Sequence, residues 1–197
     1  MLCPGPELIE GFYDAKERSR YLRYFLEEHQ WPDNHYQYAG RRFVLPRLQT
    51  WHADEGIRYS YSNNLLVTRP WTKVLSEIRS DVEFKVSRVF NSVLVNCYRN
   101  GQDYVGWHAD DEVELGESPC IASVSFGAER VFSFRHKQTL ETKNLTLPAG
   151  SLLIMHPGFQ RHWLHSVPPD PFIVDERINL TFRKVVHCLE SKNTGWW

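Results

Sequence analysis

Between residues 84 and 186 the apolar residues of this chain recur at every second position, in short runs. FKVSRVF begins at 84, SVLVNCY at 92, IASVSF at 121, RVFSFR at 130, NLTL at 144, SLLIM at 151 and RINLTFRKVV at 177, with Gly, Pro and charged residues between them. A period of two sends alternate side chains to opposite faces, so each run reads as a short strand with one apolar face. Many such strands in succession build a β-sandwich or barrel.

The first part of the chain follows a different period. Asp14 with Glu17 three residues later forms a capping pattern, and Leu22, Phe25 and Leu26 continue it as an apolar stripe, predicting a helix over about residues 15–29. Pro70, tolerated in a first helical turn, precedes Trp71, Val74, Leu75, Ile78 and Val82 at helical spacing, which predicts a second helix. Two helices followed by many strands predict an α+β fold: an antiparallel jelly roll, or double-stranded β-helix, buttressed by helices on one side.

No repeat, low-complexity tract or Ser/Gly linker interrupts the pattern, so residues 1–197 read as one domain. At 42% hydrophobic the chain has ample material for one core. Its net charge of -1 and pI near 6.8 argue against a long-range electrostatic grip on nucleic acid, so any such contact must be local. Cys3, Cys97, Cys120 and Cys188 lie far apart with no CxxC pair, which argues against a zinc knuckle or a disulfide framework and fits a reducing compartment. No segment has the length and apolarity to span a bilayer. The expectation is a monomer with no membrane association, cytoplasmic in a bacterium or nuclear in a eukaryote.

Chemistry enters at YVGWHADDE, where His108 and Asp110 stand two positions apart and, on extended backbone, point to one side. Two imidazoles and a carboxylate on one face of an iron leave three coordination positions open, so a third, distant ligand is required. His156, His162, His165 and His187 are the candidates. Further along, a strand over 177–183 puts Arg177, Asn179, Thr181 and Arg183 on one face and Ile178, Leu180 and Phe182 on the other. Such a strand is either an ordinary edge strand with a wet polar face, or an inside-out strand whose guanidinium forks hold a small dicarboxylate. Asn96 and Tyr98, also two apart, add neutral donors from another strand.

The run from Asn96 through Glu112, followed by SVSFG at 123–127, LLIM at 152–155, WLHSVP at 163–168 and RINLTFR at 177–183, resembles the AlkB family of nucleic-acid dealkylases over roughly residues 40–186. That resemblance implies an iron(II)- and 2-oxoglutarate-dependent dioxygenase that oxidatively demethylates 1-methyladenine- and 3-methylcytosine-type bases in DNA repair, releasing formaldehyde, succinate and CO2. It implies His108, Asp110 and His165 as iron ligands, with His162 as the fallback. It also implies Asn96, Tyr98, Arg177, Asn179, Thr181 and Arg183 as the 2-oxoglutarate-binding set, Arg177 at the distal carboxylate and Arg183 near the metal-chelating end, where it joins the catalytic group. On this reading residues 1–85 are the helices and a nucleotide-recognition lid, 86–186 the catalytic core and 187–197 a tail.

Residues 41–61 interleave Arg41, Arg42, Arg47 and Arg58 with Phe43, Trp51, Tyr59 and Tyr61. Guanidinium groups can track phosphates while rings stack on an extruded base, or the aromatics can fill core gaps under a surface hairpin. The resemblance favours a lid in which Tyr61 stacks on the base, with Tyr59, Trp51 and Arg47 as neighbouring contacts. A ring-methylated base is cationic, so Asp111 and Glu112, directly after the metal dyad, are candidate selectivity residues. The same chemistry on RNA or on a protein side chain, a zinc-dependent hydrolase and a non-catalytic jelly-roll binding module are the rivals. Zinc accepts the same ligands but gives the two-arginine strand no role, and a binding module would not need the full ligand set.

Overall fold

The computed structural model describes residues 5–32, 35–38, 41–57, 60–61, 64–65 and 67–186, with 35–38, 42–43, 60–61 and 64–65 given by backbone alone. The chain runs through β1 (Glu7–Ile9), α1 (Ala15–Arg23), the hairpin β2 (His35–Tyr38) and β3 (Arg41–Val44), then β4 (Leu48–Ala53). The short strands β5 (Ser60–Tyr61), β6 (Asn64–Leu65) and β7 (Thr68–Arg69) lead to α2 (Lys73–Val86). The remainder is β8 (Ser92–Tyr98), β9 (Val105–His108), β10 (Ile121–Gly127), β11 (Arg130–His136), β12 (Thr142–Leu147), β13 (Leu152–Met155), the one-turn α3 (Phe159–His162), β14 (Trp163–Val167) and β15 (Arg177–Arg183).

A seven-stranded sheet in the order β1-β13-β10-β15-β8-β4-β7 is accompanied by a four-stranded sheet in the order β12-β11-β14-β9. Apart from the parallel β4–β7 edge, the pairings described in both sheets are antiparallel. This is the expected jelly roll with helices to one side. No helix among the described residues is long and apolar enough to cross a membrane.

Local chemistry explains where the helices begin and end. Asp14 Oδ1 accepts the Glu17 N–H at 2.8 Å and Glu17 Oε2 accepts the Asp14 N–H at 3.0 Å, a reciprocal cap that satisfies two otherwise unpaired donors. The expected helix over 15–29 is regular only to Arg23; its last turn, Tyr24–Glu28, widens to a π-type turn closed by His29 N–H on the Tyr24 carbonyl. In α2 the cap is Thr72, whose hydroxyl accepts from Leu75 N–H, so Pro70 stands before the helix rather than in its first turn.

The strand expected over 84–90 is absent. Residues 84–86 continue α2, Ser87 ends it in the left-handed conformation, and Glu83 Oε1 accepts the Phe90 N–H at 2.7 Å. The helical stripe of Leu75, Ile78 and Val82 is already buried, so Phe84 falls on the solvent side, 89% exposed. Conversely β4, which sequence reading assigned to the lid, is a core strand paired with β8 over Leu48–Ala53.

Two apolar clusters result. Between the helices and the larger sheet, Tyr21, Phe25, Leu75, Ile78 and Val82 pack on Val93, Val95, Phe126, Ile178, Leu180 and Phe182. Between the sheets lie Trp51, Leu94, Phe132, Phe134, Leu153, Met155 and Trp163. Each fully buried side chain of this size contributes about 1.5–3 kcal/mol.

His29 belongs to the seam between these helices and β4. Its Nε2 shares a hydrogen bond with Thr50 Oγ1 at 2.8 Å, and its ring lies 5.5 Å from that of His52. Burial, then the nearness of His52 and Arg69, lowers its pKa from 6.5 to about 4. Between those values the unfolded chain binds a proton that the folded chain refuses, so stability is full above pH 6.5 and falls as pH drops toward 4. Urea denaturation across this window should show the parent losing about 3 kcal/mol more than His29→Gln. Parallel curves for the two proteins would remove His29 from the acid transition.

Candidate metal centre

In the smaller sheet His108 of β9 sits directly opposite His165 of β14, with ring centroids 4.2 Å apart. Asp110 follows His108 at the end of β9, and the ligand atoms of His108, Asp110 and His165 all lie within 4.8 Å of one another. Cross-strand pairing therefore singles out His165 among the described histidine candidates. The His162 ring stacks instead on His136 at 6.1 Å, and His156 Nε2 bonds Glu7 Oε2 at 2.7 Å on the surface. His187 lies outside the described residues.

The electrostatics suit a cation. Burial, followed by mutual repulsion, holds His165 at a pKa of about 3, and burial likewise lowers His108, so both imidazoles are neutral with lone pairs to offer. Burial alone would raise Asp110, but Arg183 foremost, with the two imidazoles, brings it down to about 2 and keeps it ionised. His108 Nδ1–H donates to the Gly106 carbonyl at 2.8 Å, so Nε2, 3.9 Å from Asp110 Oδ1, is the nitrogen turned toward the cluster. Gln160, buried in α3, accepts the Asp110 backbone N–H at 2.9 Å and donates to Met155 Sδ at 3.4 Å, which anchors the loop carrying the carboxylate.

β15 supplies the neighbouring wall. It lies between β10 and β8, and Arg177, Asn179, Thr181 and Arg183 line the same cleft as the three ligands. Their apolar alternates Ile178, Leu180 and Phe182 face the helices, so the polar face of this strand is turned inward to the cleft and not to water. Arg183 Nη2 pairs with Asp110 Oδ1 at 2.8 Å, Asn179 Nδ2 donates to Ser123 Oγ at 2.7 Å, and Arg177 Nη2 donates to Ser125 Oγ at 3.0 Å. Asn96 and Tyr98 stand opposite Asn179 and Arg177 across the β8–β15 pairing.

Several buried polar atoms here have no hydrogen-bond partner among the described residues: Asp110 Oδ2, His165 Nδ1, and Arg177 Nε and Nη1. Arg177 is 1% exposed and burial depresses its pKa, with the Tyr98 hydroxyl opposing that. A buried guanidinium without a carboxylate partner is costly unless an anion completes it. The residues thus fit an ion at one end of the cleft and a small anion at the other.

The sequence profile of the 2OG-Fe(II) oxygenase superfamily matches residues 5–183. The chain belongs to this superfamily. It is 43% identical over 158 residues to mouse DNA oxidative demethylase ALKBH2, covering 76% of this chain and 66% of that protein. It is 36% identical over 188 residues to human alpha-ketoglutarate-dependent dioxygenase alkB homolog 3, covering 90% of this chain and 65% of that protein. Across the ALKBH2 and alkB homolog 3 relatives from mammals the chain spans 57% to 66% of their length. The solved structure of OsALKBH1 shares the fold, with a TM-score of 0.65 at 18% identity, covering 93% of this chain and all of that one. The resemblance to AlkB relatives read from the motifs is borne out.

As a 2OG-Fe(II) oxygenase the chain uses iron(II) and 2-oxoglutarate, and His108, Asp110 and His165 are the cluster that fits the metal. The expected substrate contacts fare differently. Trp51 is 2% exposed within the cluster between the sheets, so it has no open face for a base to stack on. Arg47 is also buried: its Nε donates to Asn96 Oδ1 at 2.9 Å and its Nη1 to the Tyr104 carbonyl at 3.1 Å, so it braces the cleft instead of meeting a phosphate. Asp111 points outward to Lys137 Nζ at 3.2 Å, while Glu112 is half-buried. Tyr59 and Arg58 lie outside the described residues, as do the side chains of Tyr61, Arg42 and Phe43.

Sequence reading missed Gln160, Ser123 and Ser125. The serines share the period of SVSF and could have been placed on the cleft face by alternation, whereas Gln160 acts through a backbone N–H and leaves no pattern. Calorimetric titration with Mn(II) should show Gln160→Leu binding about 10- to 100-fold more weakly than the parent, the range for lost support of a metal ligand. An unchanged affinity would show that Asp110 needs no such anchor.

Proposed function

We propose that this chain oxidatively demethylates alkylated bases in DNA, of the 1-methyladenine and 3-methylcytosine type, and so serves DNA repair. The observation that carries the reading is the convergence in one cleft of the His108, Asp110 and His165 cluster with the buried arginines of β15. The activity for which the ALKBH2 relatives are named, DNA oxidative demethylase, supports the substrate class.

Arg177, buried and without a carboxylate partner among the described residues, takes the far carboxylate of 2-oxoglutarate as a charge-assisted fork. Arg183 serves the end next to the metal while keeping Asp110 ionised. Asn96, Tyr98, Asn179 and Thr181 line the space between. With iron(II), 2-oxoglutarate and O2 bound, the chemistry supplied is oxidation of the methyl group to hydroxymethyl, with succinate and CO2 formed and formaldehyde then lost from the base.

The protein's own residues orient and exclude. Phe132 stacks beside His165 with centroids 5.3 Å apart and, with Leu94, Val105 and Val167, gives the cleft dry walls. Glu112, two residues beyond Asp110, offers a negative charge to a cationic methylated base, and Tyr61 and Tyr59 offer the stacking rings.

Mass spectrometry of 1-methyladenine and 3-methylcytosine oligonucleotides tests this reading. Loss of one methyl mass should require iron(II), 2-oxoglutarate and oxygen together, vanish in His108→Ala, and fall at least about 100-fold in kcat/KM for 2-oxoglutarate in Arg183→Ala. Offering single-stranded DNA, duplex DNA and RNA ranks the polymers. Consumption of 2-oxoglutarate without any demethylation would sink the substrate assignment and leave the catalytic centre standing.

A further inference from the structure

Arg130 opens β11 in the smaller sheet, and its guanidinium lies against Tyr98, the cleft-lining ring that Arg177 also covers. It is 2% exposed, and among the described residues it has no carboxylate partner within ion-pair distance. Instead its Nη1 donates to the Asn100 carbonyl at 3.2 Å, and its Nη2 to the carbonyls of Asp103 at 2.9 Å and Pro168 at 2.7 Å. Those carbonyls belong to two connections, one between β8 and β9 and one between β14 and β15.

The same two connections are sewn together by backbone. Gly101 N–H donates to the Ile173 carbonyl and Asp170 N–H donates to the Gly101 carbonyl, both at 2.8 Å. A Cβ on Gly101 would lie 1.6 Å from the Asp170 carbonyl oxygen, so only glycine permits the approach. Arg99 forks onto Asp103 and stiffens the first connection. Together these contacts form a clasp with Arg130 at its centre.

The clasp bears on the cleft through Tyr98. The guanidinium carbon of Arg130 lies 5.5 Å from the Tyr98 ring centroid, and that of Arg177 lies 5.1 Å from the same ring. Two buried cations therefore share one aromatic ring, and each adds to the positive potential at the far end of the cleft. Moving Arg130 frees the ring, and with it the depth at which Arg177 meets an anion.

We propose that Arg130 is a positioning residue that sets the end wall of the 2-oxoglutarate pocket, and with it the selectivity for the length of the 2-oxo diacid. The proposal rests on the reading of Arg177 as the partner of the far carboxylate. A guanidinium satisfies three carbonyls in fixed directions; a Lys ammonium keeps the charge and part of the bonding, and Met keeps only the stem.

The test is calorimetric titration of the Mn(II)-loaded full chain with 2-oxoglutarate and with 2-oxoadipate, one methylene longer, alongside KM and kcat for 2-oxoglutarate turnover. Arg130→Met should weaken 2-oxoglutarate binding and raise its KM about 10- to 100-fold with kcat within about 2-fold, and Arg130→Lys should recover part of the loss. The preference for 2-oxoglutarate over 2-oxoadipate should fall by about 5-fold or more, a change that general loosening of the fold does not produce. If Arg130→Met fails to fold, Arg130→Lys decides on the same two readouts. Arg130 variants that bind both diacids as the parent does, while Arg177→Met loses 2-oxoglutarate, would overturn the proposal alone. Unimpaired binding in Arg177→Met would overturn the reading beneath it.

Discussion

Every residue of β15 is buried, yet four of its seven side chains are polar and two of those are arginines. A central strand cannot turn such a face to water, so it must be answered from inside the protein. Ser123, Ser125 and Asp110 answer part of it, and Nε and Nη1 of Arg177 find no partner among the described residues. Desolvating an unpaired cation costs several kcal/mol. The opposing face of the same strand offsets that cost, because Ile178, Leu180 and Phe182 bury against α1 and α2. The helices are thus part of the site's energetics even though they contribute no residue to it.

The centre also depends on how the two sheets meet. His108 and His165 come from paired strands of the smaller sheet, whereas Arg183, which holds Asp110 ionised, comes from the larger one. Between the sheets lie Phe132, Phe134, Met155 and Trp163, and their packing sets the distance across which these groups act. A change in that layer would reach the metal cluster without touching a ligand, since close-packed interiors transmit displacement rather than absorb it.

Period-two alternation made much of this readable in advance. It put Arg177, Asn179, Thr181 and Arg183 on one face, and it put His108 and Asp110 on one side. It left the third ligand among four histidines, because only cross-strand register, a long-range property, brings His165 opposite His108. Where two periods overlap, reading failed: Phe84 and Val86 alternate like a strand but form the last turn of α2, where Val86 packs on the core and Phe84 faces solvent. Trp51 and Arg47 were grouped with a basic aromatic lid because composition alone does not distinguish a ring that stacks on a base from one that fills a core. Gln160 and Arg130 act on backbone amides and carbonyls, which every residue possesses, so no side-chain pattern announces their partners.

Among the described residues the cleft opens at the His108 end. His108 retains 24% side-chain exposure, whereas Asp110 and Arg177 are sealed, and the Gly101 clasp joins the connections beyond Arg177. On the proposed function, a diacid bound for Arg177 would enter past the metal cluster, and a base lying over His108 would close that passage behind it. Such a cleft would impose an order of loading, cosubstrate first and nucleic acid second.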